Sequence, residues 1–356
     1  TRRLGALPLS APPMRLAFHE YDSHLVTASE GHVLSVWDWD ERRLLTSFSN
    51  GNHPGSDITA LAFVNEEVDA LLLAGSADGD VRLYRHYDLD VSGSRVPELV
   101  SAFRAMPDLV RSRYPCGMSI AWQQVSGRLL VGGDCCVVRL WDAHRELCIA
   151  DIPTHANSCA TSLTCDTDIG HLFMAGFGDG SIGVYDQRNP PASSLVRLWE
   201  EHHALVQNVH LQRHGQRELV SASADGEVRL WDIRANGSSA RRKVSTELEG
   251  AALSSASVHE RVPAMAVSSA PHALGPSSAQ SVQLVRLHDL APLGRAYQRV
   301  LHGTSPAAQR SWMRGFPPPS RYSTATGLVA MHPHHPMMVF GGPDATLELY
   351  RYERVL

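Results

Sequence analysis

One short region of the sequence carries side chains that could form a catalytic relay. They are His202, Ser223, Asp225 and Trp231. A hydroxyl beside a histidine that a carboxylate orients is the pattern of a nucleophile and its general base. The same groups also satisfy one another's hydrogen bonds when they are buried between strands. We expect this second, structural arrangement, with Ser223 as the hydroxyl and Ser221 as its alternative, and no catalytic residue.

Two other motifs resemble ligand sites. Glycines 176, 178 and 180 in "AGFGDGSIG" imitate part of a phosphate-binding loop, but they lead into a strand and not into a helix, which predicts a hairpin turn. The segment "MHPHHP" (331–336) brings three imidazoles together, but no cysteine or second histidine cluster has ligand spacing with it. We expect a solvated turn there, and we predict neither a metal nor a cofactor.

The six cysteines contain no Cys-x-x-Cys pair and fall mostly inside apolar runs typical of strands. This pattern predicts buried free thiols and no disulfide framework. No pair of carboxylates, nucleophile elbow or Cys-His arrangement stands out in the linear sequence. We therefore predict that the protein is not an enzyme.

The elements that position these residues follow from a repeat that runs along the whole chain. Its copies read "GHVLSVWDWD" (31–40), "GDVRLYRHYD" (79–88), "CCVVRLWDAH" (135–144), "GSIGVYDQRN" (180–189), "GEVRLWDIRA" (226–235), "SVQLVRLHDL" (281–290) and "ATLELYRYER" (345–354). Their anchoring residues are Trp37, Tyr84, Trp141, Tyr185, Trp231, His288 and Tyr350. Each copy adds an upstream strand and a turn, often Asp-Gly, which suits a two-residue hairpin. Four short strands per copy are typical of a β-propeller.

The sequence thus predicts an all-β, seven-bladed WD-repeat β-propeller that forms a single domain over residues 1–356. The last copy stops after its third strand. We expect Arg3 to Leu9 to supply the missing outer strand, because a closed ring has no open edge. The sixth copy is atypical, since His288 stands where the other copies have an aromatic residue.

Composition narrows the possible partners and location. The formal charge of −5 does not favour nucleic acid, and no apolar run is long enough to span a membrane. No signal peptide is visible, so we expect a cytoplasmic protein that does not insert into membranes. Because the first residue is Thr, we expect a fragment of a longer chain.

Residues 294–326 form a basic insertion in the repeat. The segment contains no acidic residue and places several arginines near two aromatic residues, a composition typical of protein interfaces. The alternative is a tolerated surface insertion. The candidate partner-binding residues are Arg310, Trp312, Arg314 and Phe316. The sequence "TSP" (304–306) is a plausible phosphorylation acceptor.

Less generic stretches resemble one family. "VWDWDERRLLTSFSNGNHP" (36–54), "VVRLWDAHRELCIADIPTHANSCATSLTCD" (137–166) and "AGFGDGSIGVYDQR" (175–188) resemble the C-terminal propeller of the raptor family. The resemblance implies a non-catalytic scaffold subunit of the TOR kinase complex that controls growth in response to nutrients. It implies as partners the complex subunits and their substrates or regulators, and recruitment through partners to the lysosomal or vacuolar surface. It weakens over residues 236–326.

A different class of function is also compatible with the repeats. "WDIR" (231–234) and "YDQR" (185–188) match the Trp-Asp-x-Arg pattern by which some WD-repeat proteins dock to a cullin ubiquitin ligase. The alternative prediction is therefore a ligase substrate receptor that docks through Arg188 and Arg234. The simpler explanation is that each arginine caps its own strand.

Overall fold

Seven four-stranded antiparallel sheets make up the protein. The structure is a computed structural model that describes residues 1–29, 32–88, 97–107, 116–166, 170–212, 218–234, 239–246, 252–269, 280–298, 327–342 and 345–352. Six sheets are built from four consecutive strands, and the seventh combines the last three strands with the first. The predicted seven-bladed propeller is therefore confirmed.

The blades are numbered from the first complete sheet in the chain. Blade 1 consists of β2 (Pro13–Phe18), β3 (His24–Ser29), β4 (Val33–Asp38) and β5 (Arg43–Ser49). Blade 2 consists of β6 (Ile58–Val64), β7 (Leu71–Ser76), β8 (Asp80–Arg85) and β9 (Glu98–Arg104). Blade 3 consists of β10 (Met118–Gln123), β11 (Arg128–Gly133), β12 (Val137–Asp142) and β13 (Leu147–Pro153). Blade 4 consists of β14 (Ala160–Cys165), β15 (Leu172–Phe177), β16 (Ile182–Asp186) and β17 (Leu195–Trp199), with a 3₁₀ helix at Pro191–Ser193.

The remaining blades follow the same order. Blade 5 consists of β18 (Val206–Leu211), β19 (Glu218–Ser223), β20 (Glu227–Asp232) and β21 (Arg242–Ser245). Blade 6 consists of β22 (Leu253–Val258), β23 (Ala264–Ser269), β24 (Gln280–Arg286) and β25 (Pro292–Gln298). Blade 7 consists of β26 (Leu328–Met331), β27 (Met337–Gly341), β28 (Thr346–Arg351) and β1 (Arg2–Pro8).

The antiparallel order of strands gives the ring two faces. Turns between the second and third strands, and the connections between blades, lie on what we call the top face. Turns between the first and second strands, and between the third and fourth, lie on the bottom face. None of the helices in the described part of the chain has the length and apolar character needed to cross a membrane.

An Asp-Gly turn at the top face shows why the repeat needs glycine. Gly180 links β15 to β16 with φ +90°, so the glycines of "AGFGDGSIG" do form a hairpin turn as predicted. A Cβ at this position would lie 2.3 Å from the His202 carbonyl oxygen. Only glycine fits, because the turn needs a positive φ and the next connection packs directly against it.

The position of the anchoring residue in blade 6 differs from the sequence prediction. Trp231 lies opposite Leu219 on the neighbouring strand, and the residue at the same register in blade 6 is Val285, which lies opposite Met265. A bulge between the third and fourth strands falls immediately before Val285, as it falls before Trp37 in blade 1. The prediction of His288 was wrong, because β24 already ends at Arg286.

The core consists of seven apolar clusters, and each joins one blade to the next. The cluster between blades 7 and 1 contains Phe18, Leu25 and Trp37 from blade 1 together with Leu7 from β1. Burying one such side chain contributes about 1.5–3 kcal/mol. Among the described residues the apolar core is therefore shared between neighbouring blades.

The N-terminal strand closes the ring, as predicted for Arg3 to Leu9. β1 pairs with β28 in antiparallel register from Arg2, opposite Arg351, to Pro8, opposite Thr346. The backbone N–H of Leu9 donates to the Ala345 carbonyl over 2.8 Å and extends the pairing by one residue. Leu7 is fully buried.

Hydroxyl groups connect the innermost strands of neighbouring blades. Thr59 Oγ1 of blade 2 accepts the N–H of Met118 in blade 3 over 2.9 Å. Ser162 Oγ of blade 4 accepts the N–H of Val209 in blade 5 over 3.0 Å. Equivalent contacts reach Leu211 from Thr164, Met331 from Ser257 and Val329 from Ser255. Edge N–H groups of the inner strands are thus paired across the blade boundary, which keeps them satisfied without a continuous sheet.

Candidate functional site

The imidazole, hydroxyl and indole of blade 5 form a buried network at the top face. His202 Nε2 lies 2.7 Å from Ser221 Oγ, and Trp231 Nε1 donates to the same oxygen over 2.8 Å. All three residues are buried. Burial, assisted by the nearby Arg229 charge, lowers the pKa of His202 to about 4, so the imidazole is neutral at neutral pH.

The predicted hydroxyl Ser223 is wrong and the alternative Ser221 is correct. Ser223 lies two residues closer to the end of β19, where its hydroxyl donates to the carbonyls of Ala204 and Leu205 over 3.0 and 3.3 Å. Trp231 lies opposite Leu219, and its indole reaches diagonally to Ser221, two residues along β19. Ser223 lies two residues further along the strand and is not bonded to the indole.

The predicted carboxylate, Asp225, does not join the network. Its Oδ1 accepts the backbone N–H of Glu227 over 3.0 Å and stabilises its own turn. The carboxylate nearest to His202 Nδ1 is that of Glu227, at 4.0 Å. Glu227 in turn accepts from Arg229 over 2.7 Å, and Arg229 also pairs with Glu201. Sequence reasoning missed these ion pairs of Arg229 with Glu227 and Glu201. The available signal was the spacing of Glu227 and Arg229, which are two residues apart on β20 and so lie on the same face of the strand.

The histidines of "MHPHHP" form the predicted turn between β26 and β27, which is exposed at His335 but not at His332. His332 is 1% exposed, and its Nδ1 accepts the N–H groups of His334 and His335 over 3.0 and 3.1 Å. Its ring packs against Phe18 and Trp39. Burial lowers the pKa of His332 to about 3. A metal would have to compete with two backbone hydrogen bonds for Nδ1.

The same histidine turn recurs at the bottom face of neighbouring blades. His19 in blade 1 accepts the N–H of Asp22 over 2.9 Å, and His259 in blade 6 accepts the N–H of Val262 over the same distance. His259 Nε2 also lies 3.1 Å from the His335 carbonyl of blade 7. These histidines act as turn-forming residues on three successive blades, 6, 7 and 1.

The two arginines predicted to dock a ligase adaptor occupy equivalent positions on the bottom face. Arg188 donates to both oxygens of Asp186, with distances of 2.6–3.1 Å, and this hydrogen bonding lowers the pKa of Asp186. The backbone N–H of Arg234 donates to Asp232 Oδ1 over 2.9 Å, and Arg234 is exposed. For Arg188 the geometry favours the simpler explanation, in which the guanidinium is held by its own strand.

The four candidate partner-binding residues of the basic insertion lie outside the described residues. They are Arg310, Trp312, Arg314 and Phe316. The strand before the insertion, β25, ends at the top face, and the strand after it, β26, begins there. Their partner-binding role stays a prediction.

The cysteines only partly follow the expectation of buried free thiols. All six are free, and Cys135 is buried. Cys136 and Cys148 are exposed, which corrects the expectation for those two residues. Cys148 lies on β13, the outer strand of blade 3, where the neighbouring Leu147 and Ile149 are exposed as well.

Apolar side chains are exposed on the outer strands of blades 2 to 4, and sequence reasoning missed them. We call these side chains the rim patch, and they are Leu99, Val100, Leu147, Ile149 and Val196, which are 44–60% exposed. The Ser101 hydroxyl donates to Glu146 over 2.6 Å and ties blade 2 to blade 3 at this patch. Grouped apolar exposure of this kind is typical of protein contact surfaces.

Comparison with known proteins identifies the family. The family model described as "WD domain, G-beta repeat" matches residues 193–232. The target of rapamycin complex 1 subunit mip1 of Schizosaccharomyces pombe is 40% identical over 72% of this chain and 19% of that protein. The raptor homolog of Dictyostelium discoideum is 30% identical over 97% of this chain and 21% of that protein. The crystal structure of Chaetomium thermophilum Raptor is 35% identical, with a TM-score of 0.80 over 100% of this chain and 29% of that chain.

The chain is a raptor-type WD-repeat propeller. It spans only about a fifth of the length of the curated relatives described above.

The anchoring residues explain why the repeat model matches the raptor-type propeller at blade 5. Blade 5 carries the full hydrogen-bonded set of His202, Ser221 and Trp231. In blade 2 a tyrosine replaces the tryptophan, and the Tyr84 hydroxyl donates directly to Asn50 Oδ1 over 2.9 Å. In blade 4 the Tyr185 hydroxyl donates to the Thr154 carbonyl over 2.6 Å. The tyrosine hydroxyl thus reaches the connection before its blade through one hydrogen bond. In blade 5 the indole is linked to that connection through two hydrogen bonds, by way of Ser221 and His202.

Proposed function

We propose that this propeller is a non-catalytic interaction scaffold of a raptor-like subunit in target of rapamycin complex 1, acting in the control of growth by nutrients. The observation that carries the proposal is sequence identity of 30–40%, over 72–97% of the chain, to proteins named as raptor or as subunits of that complex. The buried state of His202 and Ser221, the best candidates for a relay, supports a role without chemistry.

The partner surface in this proposal is the rim patch. Leu147 and Ile149 project from β13 with 60% and 48% exposure, and Leu99 projects from the adjacent β9 with 49%. Exposed carboxylates border the patch at Glu98 and Asp151. The occupant is another protein segment of the complex that presents apolar anchors with basic residues around them, since such a surface matches both features.

Affinity capture from an extract of the source cells tests the proposal. Wild-type chain is compared with Leu147→Asp/Ile149→Asp and with Val68→Asp, whose residue is 85% exposed but lies outside the patch. We expect TOR kinase to be enriched by wild type and by the Val68 variant, and to fall at least about tenfold for the patch variant, because two buried apolar contacts are replaced by unpaired charges. Absence of TOR kinase from the wild-type capture would overturn the proposed function.

The basic insertion provides a second arm of the same experiment. Replacing Arg310, Trp312, Arg314 and Phe316 with alanine tests whether these residues contribute to partner binding. We propose that the substitution weakens capture of one or more complex subunits. Unchanged capture of every subunit would assign the insertion to the tolerated surface segments.

The double variant Arg188→Ala/Arg234→Ala distinguishes the scaffold from the ligase-receptor alternative. A scaffold keeps its TOR kinase enrichment in this variant, whereas a receptor loses its cullin adaptor. The Arg188 to Asp186 pair would have to break for docking, which opposes the alternative.

In the proposed role the chain acts in the cytoplasm and is brought to the lysosomal or vacuolar surface by its partners. Fluorescence imaging of the tagged wild-type chain and the rim-patch variant tests this location. Membrane recruitment that survives loss of the partners would contradict it.

A further inference from the structure

Two thiols from adjacent blades lie in direct contact at the top face. Cys116 precedes β10 of blade 3, and Cys159 immediately precedes β14 of blade 4. Their Sγ atoms are 2.8 Å apart, although the residues are 43 positions apart in sequence. Non-bonded heavy atoms normally settle about 3.5–4.0 Å apart, and a sulfur–sulfur bond is about 2.05 Å long. The two sulfurs are therefore already close to bonding distance.

The backbone around both thiols is tightly held. Asp134 accepts the N–H of Cys116 over 2.8 Å and that of Gly117 over 2.9 Å. A Cβ at Gly117 would lie 2.5 Å from Thr59 Cγ2 of blade 2, so this connection is packed against its neighbour. On the other side, a Cβ at Gly178 would lie 3.3 Å from Cys159 Sγ. Close packing on both sides keeps the two sulfurs facing each other.

The electrostatic surroundings make the two thiols unequal. The two thiols are within hydrogen-bonding distance, and the hydrogen bond with Cys116 lowers the pKa of Cys159. The same hydrogen bond and burial raise the pKa of Cys116. Arg15, whose Nε donates to the Thr59 carbonyl over 2.5 Å, places a buried positive charge near Cys116 and offsets part of this rise. Since the thiolate is the nucleophile in thiol chemistry, Cys159 is the more reactive of the two.

The other cysteines lack this arrangement. Cys135 Sγ donates to the Val137 carbonyl over 2.9 Å, and Cys165 Sγ donates to the Trp122 carbonyl over 3.1 Å. Cys148 is exposed, and burial of part of the side chain together with Asp151 raises its pKa. Thiolate character and a sulfur partner are therefore combined at Cys159.

We propose that Cys116 and Cys159 form a peroxide-sensitive dithiol site whose oxidation joins the connections leading into the innermost strands of blades 3 and 4 by a disulfide. The Cys159 thiolate attacks one oxygen of hydrogen peroxide and, after protonation of the departing oxygen, yields a sulfenic acid and water. The Cys116 sulfur then attacks the sulfenic sulfur and expels a second water. Two thiols and one peroxide give one disulfide and two waters, so the step is balanced.

A metal site at the same residues is the competing explanation. Cys116, Asp134 and Cys159 place three ligand atoms within 4.8 Å of one another. Two thiolates on a tetrahedral zinc, with zinc–sulfur bonds of about 2.3 Å, are held roughly 3.8 Å apart, which is wider than the separation seen here. The carboxylate is already engaged by two N–H groups, and the nearby Arg15 charge opposes a cation.

Peptide mapping of the oxidised chain tests the site. The reduced 356-residue chain is treated with one equivalent of hydrogen peroxide, alkylated and analysed by mass spectrometry without reduction. We expect the number of alkylated cysteines to fall from six to four, with a linked peptide pair containing Cys116 and Cys159. Recovery of both cysteines in alkylated form, while the exposed Cys136 and Cys148 are oxidised, would overturn the proposal.

Single substitutions separate the roles of the two thiols. Cys116→Ser should leave a sulfenic acid on Cys159 that dimedone captures, whereas Cys159→Ser should leave Cys116 far less reactive. Cys148→Ser is the matched control and should retain the link. Equal dimedone labelling in both single variants would refute the assigned order of attack, and the wild-type map does not depend on the folding of any variant.

Zinc alone, added to the reduced and chelator-treated chain, tests the competing explanation. We expect no protection of Cys116 or Cys159 from alkylation. Protection of both at one zinc per chain would identify a metal site and overturn the disulfide proposal.

Discussion

Single residues of blade 5 show how a sequence motif can suggest chemistry that the fold rules out. Trp231 Nε1 and His202 Nε2 both contact Ser221 Oγ, and each of these groups is buried. The motif residues that sequence analysis could name were the imidazole and the indole. It could not decide between Ser221 and Ser223, because both side chains point to the same face of β19 and the choice depends on how far the indole reaches.

Removing the Ser221 hydroxyl measures how much this hydrogen-bond network contributes to the free energy of unfolding. Ser221→Ala should lower the free energy of unfolding by about 1–3 kcal/mol, because it leaves both buried ring nitrogens without their partner. Ser223→Ala is the matched control and should lower it by roughly 0.5–1.5 kcal/mol. The Leu205 carbonyl keeps a second donor in the N–H of Ala224. Urea denaturation compares the two, and a larger loss for Ser223→Ala would contradict the network.

The neutral histidine predicts how stability responds to acid. The pKa of His202 is about 4 in the folded chain and returns to about 6.5 on unfolding, because burial is relieved. The unfolded state therefore binds more protons, and stability is lost as the pH falls from 6.5 towards 4. The loss from this residue is on the order of 3 kcal/mol.

A substitution isolates the His202 contribution. In His202→Gln the free energy of unfolding, measured by urea denaturation at pH 7 and pH 5, should depend less on pH than in wild type. His144→Gln changes an exposed histidine and should leave the pH dependence unchanged. The same pH dependence in both variants would show that other groups govern the acid response.

At the scale of single elements, turn chemistry is the part of the fold that the sequence predicts best. Asp-Gly pairs marked the hairpins, and the strands follow in the predicted order around them. The sequence could not locate the anchor of blade 6, because Val285 has neither the size nor the ring that marks the other copies and His288 offers a ring three residues later. It also predicted a solvated turn at His332, since nothing in a linear pattern shows that an imidazole accepts two backbone bonds.

Two glycines with positive φ separate backbone strain from steric conflict. Gly180→Ala should lower the free energy of unfolding by at least about 2 kcal/mol, because φ is +90° and the new Cβ would meet the His202 carbonyl at 2.3 Å. Gly127 has φ +61° with nothing within 4 Å of a Cβ, so Gly127→Ala should cost about 1 kcal/mol. Thermal and urea denaturation measure both. Equal losses would mean that the close approach at Gly180 relaxes without cost.

For the whole molecule, ring closure depends on one short strand that was predictable from counting. The last copy of the repeat lacked a fourth strand, and a closed ring requires every blade to be complete. What the sequence could not give was the rim patch, because the solvent-facing side of β9 and β13 is set by where each outer strand meets its neighbour.

Shortening one side chain of the closing strand tests the ring. Leu7→Ala should lower the free energy of unfolding by about 2–5 kcal/mol, because Leu7 is fully buried between blades 7 and 1. Val68→Ala, at a residue that is 85% exposed, should change it by less than about 0.5 kcal/mol. Urea denaturation provides the comparison. A loss at Leu7 no larger than at Val68 would show that the ring is stable without its N-terminal strand.

The hydroxyls between inner strands all point the same way around the ring. In each of these contacts the earlier blade supplies the oxygen and the later blade supplies the N–H, as from Thr59 to Met118 and from Ser162 to Val209. Each blade with such hydroxyls therefore presents hydrogen-bond acceptors at fixed positions to the inner strand of the next blade. Among the described residues these contacts occur from blade 2 to 3, from blade 4 to 5 and from blade 6 to 7. Serine and threonine spacing is therefore a practical guide for joining blades at these boundaries when chimeric rings are built from these modules.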